Sequence, residues 1–213
     1  MIYTYKHIIA DYVTFFNIYI IIQGEIKMEF DLYRAIENYN PRDEKEKECV
    51  EKTKEFLKTN DNCFSRTNLK GHITAGALVM DNDGNVLLNH HKALDKWLLF
   101  GGHSDGESNS LNVAKREVME ESGITEFDDL GGRILDIDAH IIPENPAKKE
   151  PAHYHFDIRF LFIVRNKEFK LSNESKEAKW MSISQAKQVM NDPDKIRVLE
   201  KAYNIYMDMQ REK

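Results

Sequence analysis

GHSDGESNSLNVAKREVMEESGI, residues 102–124, is the stretch from which the fold of this chain can be worked out. Glu117, Glu120 and Glu121 stand at positions i, i+3 and i+4, and side chains at this spacing share one face of an α-helix. Three like charges on one face repel each other, so a cation is expected among them. A cluster of oxygen ligands without Cys or His suits a hard ion such as Mg²⁺ or Mn²⁺.

The same helix carries an apolar stripe. Leu111, Ala114 and Val118 lie on a different face from the glutamates, and burying them turns the acids outward. Gly123 follows the last turn, and Ile124 comes next, as in a left-handed helix stop whose following apolar residue folds back on the helix. The sequence therefore predicts a helix that ends at Gly123.

A glycine-containing loop precedes this helix. Residues 101–106 read GGHSDG, and the glycines let backbone come close to a bound group. Ser108 or Ser110 is expected to cap the start of the helix.

The stretch resembles the signature of the Nudix hydrolases, which reads Gly, five residues, Glu, seven residues, Arg-Glu-apolar-x-Glu-Glu-x-Gly-apolar. A chance match of this length is on the order of one in a million. The matching residues are Gly102, Arg116, Glu117, Val118, Glu120, Glu121, Gly123 and Ile124.

The resemblance implies a function and a set of site residues. A protein of this family would be an Mg²⁺- or Mn²⁺-dependent hydrolase that cleaves a phosphoanhydride bond in a nucleoside diphosphate linked to another group. Glu117, Glu120 and Glu121 would be both metal ligands and catalytic residues, with Gly102 also at the metal. Gly102, His103 and Arg116 would contact the substrate.

One position departs from the family pattern. Ser108 stands where the family has a Glu that buttresses the Arg, and Glu107 is next to it. We expect Glu107 or Glu120 to hold Arg116 instead. The departure also leaves open a competing interpretation, a Nudix-fold domain that binds or senses a nucleotide without turning it over.

Composition limits the class of protein. The chain has 213 residues, 41% of them hydrophobic and 31% charged, which is ordinary for one globular domain with extensions. A net charge of −6 gives no basic footprint for broad nucleic-acid binding and favours small nucleotide substrates. Cys49 and Cys63 are too few for a disulfide framework, so a cytoplasmic protein is expected.

Residues 1–27 differ from the rest, and three interpretations are open. Residues 8–22 are mostly apolar but too short and too interrupted for a confident membrane span. The codons for Gln23-Gly24-Glu25 can contain a ribosome-binding sequence, and they lie just ahead of the codon for Met28. This favours translation that starts at Met28. The alternatives are a membrane-associating helix and a packed extension.

Residues 28–68 predict a helical region. Residues 29–38 are interpreted as a short helix, and Asn40-Pro41 as the start of a second one. The charged run 43–48 is expected to be a solvated face. This region could pack on the following domain, cover a substrate or mediate formation of a homodimer.

Residues 69–213 predict alternating strands and helices. A hairpin signal at residues 81–85 joins the first two strands, and Asp192-Pro193 begins the last helix, with Ile196, Leu199, Tyr203 and Tyr206 inward. These elements amount to an α/β sandwich, in agreement with the mixed sheet between helices that the resemblance implies. The predicted strands are residues 72–80, 86–90, 97–100, 133–142, 153–165 and 178–181, and Ser182 or Ser184 caps a helix that runs to Met190.

The last long strand alternates ionisable and apolar side chains. His153, His155, Asp157 and Arg159 share one face. This face is either turned to water or lines a cleft above the glutamate helix, where neutral imidazoles could bind phosphate. In the second case His153 and His155 contact the substrate.

Other histidines and one tryptophan are weaker candidates. His90 and His91 end a strand, and Trp97 is expected to fill space in the core rather than to stack on a base. His103 is the best candidate because it lies inside the glycine loop.

A wider but softer resemblance covers roughly residues 60–181. It is similar to a bacterial subgroup of Nudix proteins with a Gly-Gly-His entry to the signature, and this subgroup implies the fold without a substrate. The segments that carry it are Phe64-Ser65-Arg66, Gly71-His72-Ile73-Thr74, His90-His91-Lys92, Gly101-Gly102-His103, Asp136-Ile137-Asp138 and Pro151-Ala152-His153.

Overall fold

A mixed β-sheet forms the centre of the molecule. The computed structural model describes residues 17–22, 25–147 and 149–212. Within these ranges the strands are β1 (Asn17–Ile22), β2 (Glu25–Phe30), β3 (Gly71–Asp81), β4 (Val86–His91), β5 (Lys96–Leu98), β6 (Phe100–His103), β7 (Ile134–Ile142), β8 (His153–Val164) and β9 (Ser175–Met181). The α-helices are α1 (Leu32–Glu37), α2 (Glu44–Thr59), α3 (Ser110–Ser122), α4 (Ile183–Met190) and α5 (Pro193–Arg211).

Strand β3 organises the sheet. The described strand order is β5-β4-β3-β8-β7, with β6 also paired to β3 and β9 to β4. Strands β3 and β8 are parallel along their length, whereas the other pairs in this sheet are antiparallel. All eleven residues of β3 are buried, as expected for a central strand covered on both faces.

The two faces of the sheet pack on different helices. Side chains alternate along β3, so Ile73 and Val79 join one hydrophobic core with Val118 of α3, whereas Leu78 joins a second core with Leu199 of α5. Helices α1 and α2 lie on the side of α3, and α4 lies on the side of α5. The α/β/α sandwich with a mixed sheet that the sequence predicted is confirmed.

Helix α2 packs on the sheet. Phe56 stacks on Phe156 of β8 with ring centroids 4.3 Å apart, and the Sγ of Cys49 donates to Asp138 Oδ1 of β7 at 3.6 Å. Of the three roles open for the helical region, packing against the following domain is therefore the one seen.

The first helix is shorter than predicted. It begins at Leu32 because the side chain of Asp31 accepts a hydrogen bond from the Arg34 amide, and the preceding strand β2 runs up to Phe30. Strand β2 pairs with β1, so a membrane-associating helix is wrong for residues 17–22. The other parts of that interpretation, residues 1–16 and 23–24, lie outside the described residues. Among the described helices, none has the length and hydropathy needed to cross a membrane.

The second helix begins at Glu44 rather than at Asn40-Pro41, with Asp43 as its cap. The charged run at its start is not fully solvated, because Glu46 is 0% exposed. Its carboxylate accepts hydrogen bonds from Tyr39 and, at 2.5 Å, from Lys201 of α5. Helix α5 thus reaches past the edge of the sheet to a charge on α2, which no local pattern could show.

Two further helix details differ from the prediction. Asn109, and neither Ser108 nor Ser110, caps α3, since its side-chain oxygen accepts from the Asn112 amide at 3.1 Å. Ser182 caps α4, as one of the two predicted alternatives, and forms a capping box with Gln185.

The inward face of α5 is rotated from the predicted one. Val198 and Ala202 are buried with Leu199, whereas Tyr203 is exposed. The rotation lets Arg197 reach Asp136 on β7, with Nε 2.9 Å from Oδ2. The predicted strand 97–100 is also two strands, β5 and β6, which pair with β4 and β3 respectively.

Replacing Glu46 by Gln is expected to lower the free energy of unfolding by about 3 kcal/mol, because it leaves the Lys201 ammonium without its closest carboxylate partner in a mostly buried position. Urea unfolding followed by circular dichroism measures this difference. The matched control is Glu48→Gln, an exposed position on the same helix, where a change within about 0.5 kcal/mol is expected. Equal effects of the two substitutions would contradict the structural role of Glu46.

Candidate functional site

Helix α3 packs its first glutamate directly against strand β6. A Cβ atom placed on Gly102 would lie 2.6 Å from the carboxyl carbon and from Oε2 of Glu117. Only a glycine therefore leaves room for this carboxylate at the strand. The Glu117 side chain is 12% exposed. Burial and the nearby Glu120 charge raise the pKa of Glu117 in spite of its contact with Arg116.

The third glutamate also reaches β6. Glu121 Oε2 accepts a hydrogen bond from the Gly101 amide at 3.1 Å. Burial raises the pKa of Glu121 to about 7, and the negative charges of Glu117 and Glu174 add to that effect and outweigh the hydrogen bond. A carboxylate buried beside other carboxylates favours either a proton or a metal ion.

Glu120 is in a different environment, with 61% of its side chain exposed. The expectation that all three acids point outward is therefore wrong for Glu117 and Glu121, which lie against the glycine backbone. The three still project from one side of α3, as the i, i+3, i+4 spacing predicted.

Arg116 is held without help from residue 108. Its Nη2 donates to the His103 carbonyl oxygen at 2.8 Å, and its Nη1 lies 2.8 Å from Glu117 Oε1. Of the two predicted partners, Glu120 contributes at 3.5 Å, whereas Glu107 accepts from the Asn109 amide instead. The main partner, Glu117, is the neighbour in sequence that the argument from the family pattern overlooked.

These residues suit a divalent metal ion. Two of the three carboxyls, those of Glu117 and Glu121, have raised pKa values. The Arg116 guanidinium contacts Glu117 at 2.8 Å and Glu120 at 3.5 Å, so it neutralises only part of their combined charge. Carboxylate and carbonyl oxygens are the ligands that Mg²⁺ and Mn²⁺ prefer. Glu117, Glu120, Glu121 and the Gly102 carbonyl are thus the atoms that could hold such an ion.

The polar face of β8 is not turned to water. Arg159 is 11% exposed and donates to Asp157 at 2.7 Å, to Asp136 at 3.1 Å and to Asp138 at 3.2 Å. Although burial alone would raise it, the hydrogen bond to His140 and the charge of Arg159 hold the pKa of Asp138 far below its usual range. This half of the face is a neutralised ion network that joins β7, β8 and α5.

The other half of that face is a histidine cluster. His155 lies beside His72 of β3, with ring centroids 4.7 Å apart, and beside His103 of β6 at 5.2 Å. His153 Nε2 lies 3.3 Å from His155 Nε2. Of the two expectations for this strand, solvent exposure is thus wrong for the residues that make these contacts. A cleft above the glutamate helix is wrong as well, because this face of the strand is on the α5 side of the sheet and α3 packs on the other side.

His72 belongs to this cluster and was missed as a functional candidate. The available signal was a polar residue at the start of an otherwise apolar strand, which alone predicts nothing specific. Burial lowers the pKa of His72 to about 4 and that of His155 to about 3. The Asn68 backbone is close enough to act on the pKa of His72, yet no hydrogen bond of ordinary geometry reaches either ring nitrogen.

The remaining candidates lie at the β4–β5 edge. The His90 ring stacks on Trp97 with centroids 5.0 Å apart, and its Nε2 lies 3.0 Å from Asp95. His91 Nδ1 accepts from the backbone amides of residues 93 and 94. Trp97 packs against the core on the α5 side, as expected. These contacts give His90 and His91 structural partners at the end of the hairpin.

Comparison with known proteins agrees with this architecture. The sequence model of the NUDIX domain family matches residues 70–202. A probable DHNTP pyrophosphohydrolase of Lactococcus lactis subsp. cremoris is 32% identical over 100 residues, which are 47% of this chain and 58% of that protein. The match thus spans little more than half of the relative's length.

Two solved structures have a similar fold. A C. elegans Ap4A hydrolase in a binary complex has a TM-score of 0.51 at 18% identity, covering 64% of this chain and 98% of that one. The E. coli dihydroneopterin triphosphate pyrophosphohydrolase has a TM-score of 0.50 at 15% identity, covering 61% and 92%. At these identities the two similarities concern the fold alone.

Glu121→Gln is expected to raise the melting temperature at about pH 8 in metal-free buffer with EDTA. Folding raises the pKa of Glu121 from 4.5 to about 7, so the folded protein is destabilised when this carboxyl is charged. The destabilisation is absent below the lower of these two pH values, grows between them and is complete above the higher one. The gain should therefore vanish near pH 4, as measured by thermal unfolding. The exposed Glu120→Gln serves as control, and equal gains in both variants at both pH values would contradict the burial of the Glu121 charge.

Proposed function

This chain belongs to the NUDIX domain family, and we propose that it is a divalent-metal-dependent hydrolase that cleaves a phosphoanhydride bond in a nucleoside diphosphate linked to another group. The observation that carries this proposal is the arrangement of Glu117 and Glu121 against the Gly101-Gly102 backbone, with the exposed Glu120 beside them. It gathers negative charge where a metal can bind.

In this proposal Glu117, Glu120, Glu121 and the Gly102 carbonyl hold Mg²⁺ or Mn²⁺. The bound ion would neutralise charge on the bridging and non-bridging phosphate oxygens. Without the ion the pKa of Glu121 is about 7, so this carboxyl gives up its proton readily when it binds a cation near neutral pH.

The proposed substrate contacts next to the acids are Arg116 and the Gly102 backbone. His103, His153 and His155 project from the opposite face of the sheet, and in this proposal they contact a part of the substrate remote from the glutamates. Arg116 uses one N–H on the His103 carbonyl and one on Glu117. A guanidinium has five N–H donors, so others remain for a phosphate oxygen. The bond to the His103 carbonyl ties the position of the glycine loop to the helix that carries the acids.

The names of the similar proteins suggest which substrates to try. They include an Ap4A hydrolase and pyrophosphohydrolases of DHNTP and of dihydroneopterin triphosphate. Each name describes that protein. For this chain we propose a small phosphorylated nucleotide or nucleotide-like substrate, in keeping with a net charge of −6.

We extend the proposal to the domain organisation of the chain and to its cellular compartment. Residues 69–213 form the hydrolase domain, residues 28–68 a helical region packed on it, and the protein works in the cytoplasm. Surfaces of the helical region that face away from the sheet are available for a homodimer.

The competing function is a domain that binds a nucleotide without turning it over. The sequence argument for this function was that Ser108 stands where the family has a Glu that holds the Arg. The contacts of Arg116 with Glu117 and the His103 carbonyl weaken that argument, because the guanidinium has partners without residue 108. We therefore favour the hydrolase.

Hydrolysis of a substrate panel with Mg²⁺ is expected, and it should be lost in EDTA. The panel contains nucleoside triphosphates, nucleotide sugars, ADP-ribose, Ap4A and dihydroneopterin triphosphate, with products separated by chromatography. Glu120→Gln removes one charge from an exposed position and should lower turnover by about 100-fold or more with little change in melting temperature. Full activity in EDTA, or tight nucleotide binding without any product, would rule out the proposed function.

Gly102→Ala tests the contact that positions Glu117. The new methyl group would occupy the place of the carboxylate, which can swing away because it is the end of a flexible side chain. Folding should therefore survive, while turnover falls by about 100-fold, since displacement of a reacting group by about 1 Å can cost that much. Ser108→Ala, at an exposed position in the loop that follows β6, is the control and should keep turnover within about twofold. Unchanged turnover in Gly102→Ala would show that Glu117 does not act from this position.

A further inference from the structure

Three imidazoles from three neighbouring strands meet on one face of the sheet. In the strand register His72 of β3 stands opposite His155 of β8, and Thr74 of β3 stands opposite His103 of β6. His72 and Thr74 are two residues apart, so all three histidines project from the same face. Their ring centroids form a nearly equilateral triangle with sides of 4.7, 5.0 and 5.2 Å.

The ring of His72 has no hydrogen-bond partner in this cluster. It is 3% exposed, and neither Nδ1 nor Nε2 is bonded. Nearly all buried polar side chains in proteins have a partner, so two orphaned nitrogens on one buried ring need an explanation. A bound group that the ring nitrogens face would supply it.

The spacing of the nitrogens suits a metal ion. One ligand atom from each of His72, His103 and His155 lies within 4.8 Å of the other two. A tetrahedral Zn²⁺ with bonds of about 2.0 Å to nitrogen places its ligands roughly 3.3 Å apart. The ligand atoms, which lie within 4.8 Å of one another, would approach by at most about 1.5 Å to reach that size.

His153 adds a possible fourth nitrogen. Its Nδ1 lies 2.8 Å from the Pro151 carbonyl, which fixes the proton on Nδ1 and leaves the lone pair on Nε2. That Nε2 points at His155 Nε2 across 3.3 Å. In metal-binding histidines one ring nitrogen usually donates to a carbonyl or carboxylate while the other nitrogen binds the ion.

We propose that His72, His103 and His155 form a second metal site, for a zinc-class transition metal ion, with His153 as a fourth ligand or its position left to water or a phosphate oxygen. The site is separate from the glutamates in position and in chemistry. Gly102 stands opposite Ala75 on the α3 face of the sheet, where Glu117 packs, whereas the histidines project from the other face. Imidazoles favour Zn²⁺ over Mg²⁺, and carboxylates suit Mg²⁺.

The neighbouring group of Asp138, His140 and Asp157 is a poorer metal site. Its ligand atoms are also within 4.8 Å of one another. However, Arg159 already donates to both carboxylates, at 3.2 Å to Asp138 and 2.7 Å to Asp157. A second cation there would be repelled. The charge of Arg66 also acts on His72 and His103, but Arg66 is paired with Asp105 at 2.7 Å and is not itself one of the cluster's members.

Competition for Zn²⁺ against a chromophoric chelator tests the site without any measurement of turnover. The full chain is used without a histidine tag, in excess Mg²⁺ so that the glutamates are occupied. We expect one tightly bound Zn²⁺ per chain. His103→Gln and His155→Gln should each weaken Zn²⁺ binding by about 100-fold or more. Even the loss of a residue that only orients a metal ligand lowers metal affinity by about 10- to 100-fold.

His90→Gln, at the β4–β5 edge, and Glu120→Gln, on α3, are the matched controls and should bind Zn²⁺ like the original protein. Circular dichroism and thermal unfolding verify that each variant is folded. X-ray absorption of the zinc complex of the unaltered chain gives a readout that needs no variant, and it should show imidazole scattering. Absence of tight Zn²⁺ binding, equal binding in the histidine variants, or a spectrum of oxygen ligands alone would overturn the proposal.

Discussion

The contact between the Glu117 carboxylate and the Gly102 backbone is the constraint on which the candidate site depends. It requires a strand position without a side chain, a helix whose apolar stripe presses it onto the sheet, and a loop short enough to join the two. Arg116 closes the arrangement by bonding both Glu117 and the His103 carbonyl. Because the helix is anchored by burial of Val118, the cost of bringing carboxylates together is met by packing.

The sheet separates charge that is compensated from charge that is not. On the face toward α5, Arg159 and Arg197 neutralise Asp136 and its neighbours, so that network holds β7, β8 and α5 together. On the face toward α3, the glutamates share one guanidinium, and their raised pKa values report the imbalance. Paired buried charges are structural, whereas unpaired ones mark a place where a ligand is needed.

The histidine cluster illustrates how a parallel strand pair creates a site from distant segments. His72 and His155 are far apart in sequence and become neighbours because β3 and β8 run in the same direction in matched register. His103 arrives on β6, the strand that also carries Gly102. One short strand therefore contributes its backbone to the acids on one face and an imidazole to the cluster on the other.

The sequence by itself determined the order of strands and helices, the end of α3 at Gly123 and the shared side of its glutamates, because these follow from local periodicity and from a glycine stop. Only the tertiary structure decided that Glu46 is buried, since its partner Lys201 comes from the last helix. It likewise decided that the His103 carbonyl holds Arg116 and that His72 joins His155. Such contacts depend on strand order, register and helix rotation, which are set by packing between segments remote in the chain and leave no local pattern.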